Sequence, residues 1–162
     1  MPFSLVRVDD RTIHGQVVLG WASFIAPDRI ILCNDQIASS DWEKELYESS
    51  FSDSGTEINV FTRAELQQYA RSEKHSKERC ILLVENLQDA LDLLDLNIPF
   101  RTLNIGGLHF CDGKRELTDY IFLDDDDVEC LKELQSRGVL IEGQDIPSAK
   151  KVNVMKLVSE NI

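Results

Sequence analysis

The sequence predicts a single α/β domain with a mainly parallel, doubly wound sheet of about six or seven strands, flanked by helices on both faces. Three observations favour this fold class. Short apolar runs alternate with amphipathic stretches, several of the apolar runs are continuous, as in strands covered on both faces, and no linker or repeat divides the chain. With 162 residues, 43% of them hydrophobic, residues 1–162 suit one domain.

Strands are predicted at short runs that are rich in apolar and β-branched residues. They are Leu5–Val8, Arg29–Cys33, Glu57–Phe61, Arg79–Val84, Arg101–Ile105, Tyr120–Leu123 and Val139–Glu142. Because helical stretches separate them, we expect right-handed crossovers between parallel strands. Functional loops in such a sheet follow the carboxyl ends of the strands.

Helices are predicted between these strands, where apolar residues recur every three or four positions. The last of them should begin at Asp124–Asp127, whose charge suits a helix N-terminus, and end at Gly138. Ser49–Gly55 and Arg71–Lys77 are predicted to be polar surface connections. The apolar positions that define the helices are Val17, Trp21, Phe24 and Ile25; Trp42, Leu46 and Tyr47; Leu66, Tyr69 and Ala70; Leu87, Ala90, Leu91 and Leu94; and Val128, Leu131 and Leu134.

Composition and charge argue against several classes of function. The chain has 17 basic and 29 acidic residues, a formal net charge of −12, and no basic cluster suited to a nucleic-acid backbone. It has no apolar run of membrane-spanning length and no recognisable export signal. The four cysteines lack a metal-binding spacing and are predicted to be reduced and structural. We therefore expect a cytoplasmic protein that binds no nucleic acid.

The stretch most informative about chemistry is Val6–Val17, where a polar loop joins the first strand to the first helix. His14 lies where that helix should begin, so free backbone N–H groups would stabilise an anion beside its ring. A neutral imidazole is a nucleophile toward phosphorus, and Arg11 offers a planar pair of donors to the phosphoryl oxygens. Asp9 or Asp10 could accept from the other ring nitrogen or anchor Arg11, and we assign this orienting role to Asp10.

Other histidines and strand ends are weaker candidates. His75 lies in a polar stretch and is predicted to face solvent. Whether His109 touches the site stays open, because it follows Gly106 and Gly107, a pair that either lines the pocket or forms a turn. Asn34, after the second strand, either caps the next turn or hydrogen-bonds the phosphate loop.

Two further kinds of chemistry are less well supported. The chain has no Gly-x-x-x-x-Gly-Lys-Ser/Thr pattern, so nucleotide chemistry is not indicated. A metal hydrolase using Asp9, Asp10 and His14 is an alternative, but three ligands in one short loop rarely surround a metal ion without outside help. We therefore expect no metal and no cofactor.

The nine residues Asp9–Val17, with Gly20 and Trp21 behind them, resemble the phosphorylation-site signature of the enzyme IIB components of the mannose/fructose/sorbose family of the phosphoenolpyruvate-dependent sugar phosphotransferase system. That family usually has leucine where this chain has Thr12. Further family features recur along the chain at Asn34-Asp35, Asn104–Gly107, Ile146-Pro147 and Lys150–Val152.

The resemblance implies a protein-phosphohistidine-sugar phosphotransferase. His14 would accept a phosphoryl group through Nδ1 from the phosphohistidine of a IIA partner and transfer it to a sugar bound by the membrane components IIC and IID. Arg11 matches the arginine that closes on the phosphoryl group, and no metal or nucleotide takes part. The protein would lie at the inner face of the membrane through IIC and IID. The remaining predicted binding residues are Asp9, Gly15, Gln16, Asn34, Gly106 and Gly107.

The same loop would also serve a IIB-like regulatory domain, whose phosphorylation state is read by another protein and which moves no sugar. For either function, the surface around His14 should be less acidic than the rest of the chain so that the phosphodonor can dock. We expect Asp124–Asp127 to lie to one side of that surface. The basic residues expected near the loop are Arg7, Arg11 and Lys114 or Arg115.

Overall fold

The computed structural model describes residues 3–51 and 54–162. The strands within these residues are β1 (Leu5–Asp9), β2 (Arg29–Cys33), β3 (Glu57–Phe61), β4 (Cys80–Val84), β5 (Thr102–Gly107), β6 (Arg115–Thr118), β7 (Ile121–Leu123), β8 (Leu140–Gly143) and β9 (Val152–Asn153). A π-helix over Gln16–Trp21 continues directly as α1 (Ala22–Ile25). The other helices are α2 (Asp35–Ala38), α3 (Asp41–Ser49), α4 (Arg63–Ala70), α5 (Glu73–Lys77), α6 (Leu87–Asp95), α7 (Asp125–Ser136) and α8 (Val154–Asn161).

The main sheet has seven strands in the order β3-β2-β4-β1-β5-β8-β9. Neighbouring strands are parallel except for β8 and β9, which are antiparallel. The chain leaves β1 toward β2 on one side and leaves β5 toward β8 on the other. The crevice between the carboxyl ends of β1 and β5 is therefore the topological switch point, where ligands bind in open α/β sheets. The predicted doubly wound α/β fold is confirmed.

Apolar side chains pack on both faces of this sheet. One core cluster joins Val17, Val18 and Trp21 of the π-helix to residues of β2, β3 and β4. The larger cluster joins β1, β4 and β5 to α4, α6, α7 and α8. Successive strand residues point to opposite faces, so the fully buried strands β2 and β4 contribute to both clusters. This packing fixes β1, and with it the loop that follows.

The aspartate run begins α7, as predicted. The Asp124 side chain accepts from the backbone N–H of Asp127 at 2.8 Å, and the Asp127 side chain accepts from the N–H of Asp124 at 3.0 Å. This reciprocal capping box satisfies two N–H groups at the helix start. Gly138, at a φ of 89°, follows the helix at its C-terminal end.

One predicted feature of the sheet was wrong. Tyr120–Leu123 contributes β7, which pairs with β6 in a separate two-stranded sheet instead of joining the main one. Strand alternation along the chain does not specify which strands pair, and this explains the error. Gly106 and Gly107, for which the sequence left a turn or a place in the pocket open, lie within β5.

The polar connection Arg71–Lys77 contains the short helix α5, and His75 on that helix is buried. Its ring centroid lies 4.5 Å from that of Phe3 and 5.0 Å from that of Tyr69, so the prediction that His75 faces solvent was wrong. In the predicted loop Ser49–Gly55, residues 52 and 53 lie outside the described residues. The short elements α2 and β9 and the terminal helix α8 were not predicted.

No helix within residues 3–51 and 54–162 combines the length and the apolar character needed to cross a membrane.

Candidate active site

The site forms where β1 and β5 end side by side. Asp9 is the register partner of Gly107, and the N–H of Asp10 donates to the Gly107 carbonyl oxygen at 3.0 Å. The chain then turns sharply, because the N–H of Thr12 donates back to the Asp9 carbonyl oxygen at 3.0 Å. The polar loop therefore starts from a fixed point at the switch crevice.

Thr12 adopts the left-handed region with a φ of 63°, which is uncommon for a β-branched residue. Its hydroxyl lies 2.6 Å from the carbonyl oxygen of Arg11 and 3.1 Å from the hydroxyl of Tyr47 on α3. The side chain is buried, so these polar contacts satisfy it inside the protein. They hold the turn that presents Arg11 and His14.

The fully buried carboxylate of Asp9 is the centre of the site. Arg11 donates to it three times, from its backbone N–H at 3.0 Å, from Nε at 2.9 Å and from Nη2 at 2.8 Å. The Nε2 atom of His14 lies 3.1 Å from its Oδ2. Burial by itself raises the pKa of Asp9, but the hydrogen bonds from His14 and Arg11 outweigh burial and hold that pKa well below its usual range. Asp9 is therefore ionised at neutral pH.

Asp9 determines how the His14 ring is used. An ionised carboxylate only accepts hydrogen bonds, so Nε2 of His14 carries the proton and donates to Asp9. The lone pair of the neutral ring then lies on Nδ1, which is the nitrogen available for nucleophilic attack. The side chain is 19% exposed, so one edge of the ring can be reached by a partner.

The hydrogen bonds of the helical stretch begin at His14, because the N–H of Val18 donates to the His14 carbonyl oxygen at 3.1 Å. The first N–H groups of a helix have no partner within it and are suited to an anion. Apart from its chain neighbours and the backbone of its own helix, no described atom lies within 4 Å of the position that a Cβ of Gly15 would take. The glycine therefore leaves open space beside His14.

Arg11 is held at the site but keeps donors for an anion. Its Nη1 donates to the side-chain oxygen of Gln16 at 2.7 Å, and each terminal nitrogen carries a second N–H. The hydrogen bonds to Asp9 raise the pKa of Arg11. The side chain is 34% exposed, so a permanent cation faces the opening beside His14. The predicted residues His14, Arg11, Asp9 and Gln16 are thus brought together.

Asp10 does not have the orienting role that the sequence assigned to it, and that prediction was wrong. Asp10 lies just beyond the end of β1, and its side chain is turned toward the loop that follows β5. Its carboxylate accepts from the backbone N–H of His109 at 2.7 Å and contacts the ring Nδ1 of His109 at 2.6 Å. His109, whose place was left open, therefore lies at the edge of the site.

A buried guanidinium lies beneath Asp9. Arg7 on β1 donates to the carbonyl oxygens of Gln144 and Asp145, each at 2.7 Å, and to the side chain of Asn104. Its Nη2 lies 3.7 Å from Oδ2 of Asp9. Burial lowers the pKa of Arg7 to about 10, so it stays charged at neutral pH. The sequence analysis expected Arg7 near the His14 loop but on the surface, whereas its side chain is fully buried beneath Asp9.

The two glycines of β5 make room for charged side chains. A Cβ on Gly106 would overlap the guanidinium of Arg7. A Cβ on Gly107 would lie 3.0 Å from Cε1 of His109, 3.2 Å from Oδ1 of Asp9 and 3.4 Å from Nη2 of Arg11. Both glycines therefore line the site. Of the two alternatives that the sequence left open, a pocket wall or a turn, the structure has the pocket wall.

Asn34 is placed elsewhere. Its Oδ1 accepts from the N–H of Ile37 at 3.0 Å, capping α2, and its Nδ2 donates to Glu85 at 2.8 Å. The strand β4 lies between β2, which Asn34 follows, and β1, which leads to His14. Asn34 is therefore a helix cap, and the structure does not bring it to the His14 loop.

The basic residues that were expected to form a docking surface for the phosphodonor around His14 are not placed as predicted. Arg7 is fully buried and cannot contact a partner. Nζ of Lys114 lies 3.0 Å from Asp127, and Nη2 of Arg115 lies 2.7 Å from Asp125. These two cations are thus paired with the aspartate run that the prediction had set apart from them.

The described residues show no cluster of metal ligands, and the two buried cysteines are not nucleophiles. Within residues 3–51 and 54–162, no group of three or more histidine, cysteine, aspartate or glutamate side chains is placed to hold a metal ion. All four cysteines lie in this part of the chain and are free thiols. Burial raises the pKa of Cys33 and of Cys80 to about 12, so neither thiol is a nucleophile at neutral pH.

Comparison with known proteins assigns the chain to a family. The family model described as the sorbose subfamily IIB component of the phosphotransferase system matches residues 3–162. The sorbose-specific EIIB component of Klebsiella pneumoniae is 30% identical over 160 residues, which cover 99% of this chain and 97% of that protein. The mannose-specific EIIAB component of Escherichia coli K12 is also 30% identical over 160 residues, which cover 99% of this chain but 49% of that longer protein.

Solved structures agree with this assignment. The crystal structure of the IIBSor domain of the sorbose permease from Klebsiella pneumoniae superposes with a TM-score of 0.91 at 30% identity, covering 100% of this chain and 99% of that one. The N-acetylgalactosamine-specific IIB component 1 of Escherichia coli gives a TM-score of 0.83 at 28% identity, covering 91% and 95%. The chain therefore belongs to the sorbose subfamily of IIB components, the phosphotransferases of sugar uptake systems.

Proposed function

We propose that His14 is the phosphoacceptor of this IIB component, that it takes the phosphoryl group from a phosphohistidine on a IIA partner, and that it transfers the group to a sugar bound by IIC and IID. The single observation that carries this proposal is the contact between Nε2 of His14 and the ionised, buried carboxylate of Asp9. It fixes the proton on one ring nitrogen and leaves the other as the nucleophile.

In the first transfer, the Nδ1 lone pair of His14 forms a bond to phosphorus while the bond from phosphorus to the donor nitrogen breaks. The His14 ring gains positive charge as this bond forms, because Nε2 keeps its proton. Asp9 then faces an imidazolium instead of a neutral ring, so its hydrogen bond strengthens in the transition state. Asp9 thus stabilises the charge that develops during the reaction.

Arg11 acts on the other charge, which is spread over the phosphoryl oxygens. Its outward N–H groups can donate to two of those oxygens while Nε and Nη2 remain bonded to Asp9. Gln16 holds Nη1 so that the guanidinium plane stays beside His14. The N–H groups at the start of the helix and the open space at Gly15 favour an anion in the same place.

In the second transfer, the oxygen of a sugar hydroxyl forms a bond to phosphorus as the bond from phosphorus to Nδ1 breaks, and the hydroxyl proton passes to water or to a base beside the sugar. The electron pair of the broken bond returns to Nδ1, which restores the neutral ring with its proton on Nε2. Both transfers are in-line displacements, so each partner must approach the exposed edge of His14. We propose that IIA and the membrane components use this edge in turn and that the protein works at the cytoplasmic face of the membrane. The combined EIIAB name of the Escherichia coli mannose relative fits a IIA donor.

Phosphorylation from phosphoenolpyruvate through the general relay proteins, with and without a cognate IIA, tests this proposal. We expect IIA-dependent labelling on His14 that is acid-labile and base-stable, and its loss in His14→Ala. Cys111→Ser, which changes an exposed residue after β5, is the matched control and should label fully. Full labelling of His14→Ala would overturn the proposal.

Vesicles that contain IIC and IID then separate transport from a regulatory role. Phosphorylated protein should lose its label to an added sugar in these vesicles and keep it in vesicles without IIC and IID. Retention of the label with every sugar of the family's range would favour the regulatory alternative.

A further inference from the structure

His109 and Asp10 form a two-point contact across the switch crevice. The backbone N–H of His109 donates to Oδ2 of Asp10 at 2.7 Å, and the ring Nδ1 lies 2.6 Å from Oδ1. Since the carboxylate accepts, Nδ1 carries the proton of the ring. Both oxygens of Asp10 are thus occupied by one residue, and the loop after β1 is joined to the loop after β5.

The position of His109 is itself fixed by the preceding residue. The N–H of Leu108 donates to the carbonyl oxygen of Tyr120 at 2.9 Å, and the N–H of Phe122 donates to the carbonyl oxygen of Leu108 at 2.7 Å. Leu108 is buried, so its backbone is anchored on β7. His109 therefore presents its two donors from a rigid end of the sheet.

Asp10 needs such a partner because two adjacent carboxylates stand beside a site for a dianionic group. Asp9 is compensated by Arg7, Arg11 and His14. The Asp10 carboxylate is hydrogen-bonded to His109 instead of to these three residues, yet its charge raises the pKa of Arg11 through space. If the Asp10 carboxylate were free to turn toward Arg11, it would compete with a phosphoryl group for the outward N–H donors of that guanidinium.

We propose that His109 is a positioning residue for phosphoryl transfer, which holds the Asp10 carboxylate on the β5 side of the crevice and so keeps it from Arg11 and from the phosphoryl group. The proposal rests on the proposed function of His14. If His109 only tied the two loops together, the charge of Asp10 would not matter. If our proposal is right, the slower transfer after replacement of His109 comes from the negative charge of Asp10.

A set of four variants tests this difference: His109→Ala, His109→Asn, Asp10→Asn and the double variant His109→Ala/Asp10→Asn. The rate of transfer from phosphorylated IIA to His14 is measured at saturating donor, with the melting temperature of each variant beside it. Loss of a hydrogen bond to a charged group should slow His109→Ala about tenfold or more. His109→Asn should keep most of the rate, because its side-chain N–H lies where Nδ1 lay.

The double variant is the decisive arm. With the Asp10 charge removed, it should transfer at the rate of Asp10→Asn, well above His109→Ala, although both variants that replace His109 lose the same ring contact to residue 10. A double variant as slow as His109→Ala, an Asp10→Asn variant equally slow, or a His109→Ala variant at the wild-type rate would each overturn the proposal. Mapping the phosphoryl label in the wild type tests the His14 assignment separately. That assignment fails only if the label lies on another residue, whatever the rates of the His109 and Asp10 variants.

Discussion

Replacing Asp9 by asparagine should weaken both the fold and the transfer reaction. Asp9 lies 2.8 Å from Nη2 of Arg11 and 3.7 Å from Nη2 of Arg7, and both cations are at least partly buried. At an effective dielectric constant of about 20, unit charges at these separations attract by about 6 and about 4 kcal/mol. Desolvation offsets much of this attraction, so removing one partner of such a buried group costs about 3 to 5 kcal/mol.

For a chain of this length, that loss lowers the melting temperature by about 6 to 20 °C. Transfer to His14 should slow by about ten- to a hundredfold, because asparagine cannot stabilise the imidazolium as a carboxylate does. The assay combines thermal unfolding of Asp9→Asn with its rate of phosphorylation by phospho-IIA at a temperature where the variant is folded.

Asp112→Asn provides the matched control, since it makes the same chemical change at an exposed aspartate. It should melt within about 2 °C of the wild type, as surface substitutions usually do, and transfer normally. If Asp9→Asn melted and transferred like this control, the assignment of Asp9 as the group that orients His14 and Arg11 would be refuted.

Three further predictions follow from the same contacts. Arg11→Lys keeps the charge but loses the planar donors, so phosphoryl transfer should slow about tenfold while the melting temperature stays within about 5 °C; undiminished transfer would contradict this. Gly106→Ala forces a Cβ into the Arg7 guanidinium and should cost about 1 to 3 kcal/mol in urea unfolding, whereas Gly15→Ala, with open space around it, should cost little. The depressed pKa of Asp9 gives stability that is fully present above its unfolded value of about 3.9 and is lost as the pH falls through its lower folded value. The difference in unfolding free energy between wild type and Asp9→Asn, measured by urea unfolding, should therefore shrink as the pH falls below about 4.

The layered fold was predictable because local patterns determine it. Continuous apolar runs such as Cys80–Val84 are buried on both faces of a sheet, and helical periodicity between them leaves few alternatives to crossovers. The place of β7 was not predictable in the same way, since its pairing with β6 and the exclusion of both from the main sheet depend on which backbone groups meet in three dimensions.

That His14 and Arg11, the proposed catalytic residues, lie close together was predictable because both belong to one short loop at the start of a helix. The choice between Asp9 and Asp10 was not, because it depends on where β1 ends. The sequence placed that end at Val8, whereas β1 continues to Asp9 and so fixes the direction of the Asp9 carboxylate. Asp10 lies beyond the strand and is held by His109, a residue about a hundred positions away in sequence.

Arg7 and His75 were misplaced for a different reason. The acceptors of Arg7 belong to residues 104, 144 and 145, about a hundred positions or more along the chain, and only the folded sheet brings them together. His75 has polar neighbours in sequence but aromatic ones in space. Long-range partners of this kind leave no local pattern.

The central claim is that Nδ1 of His14 carries the phosphoryl group while its Nε2 stays protonated against Asp9. A long-range proton–nitrogen NMR spectrum of the phosphorylated protein, with ¹⁵N-labelled histidine and His14→Ala for assignment, tests this directly. We predict that phosphorylation shifts the resonance of Nδ1 of His14, that Nε2 of the same ring keeps its proton, and that the rings of His75 and His109 stay unphosphorylated. A phosphoryl group on Nε2 of His14, or on either of the other histidines, would contradict the account.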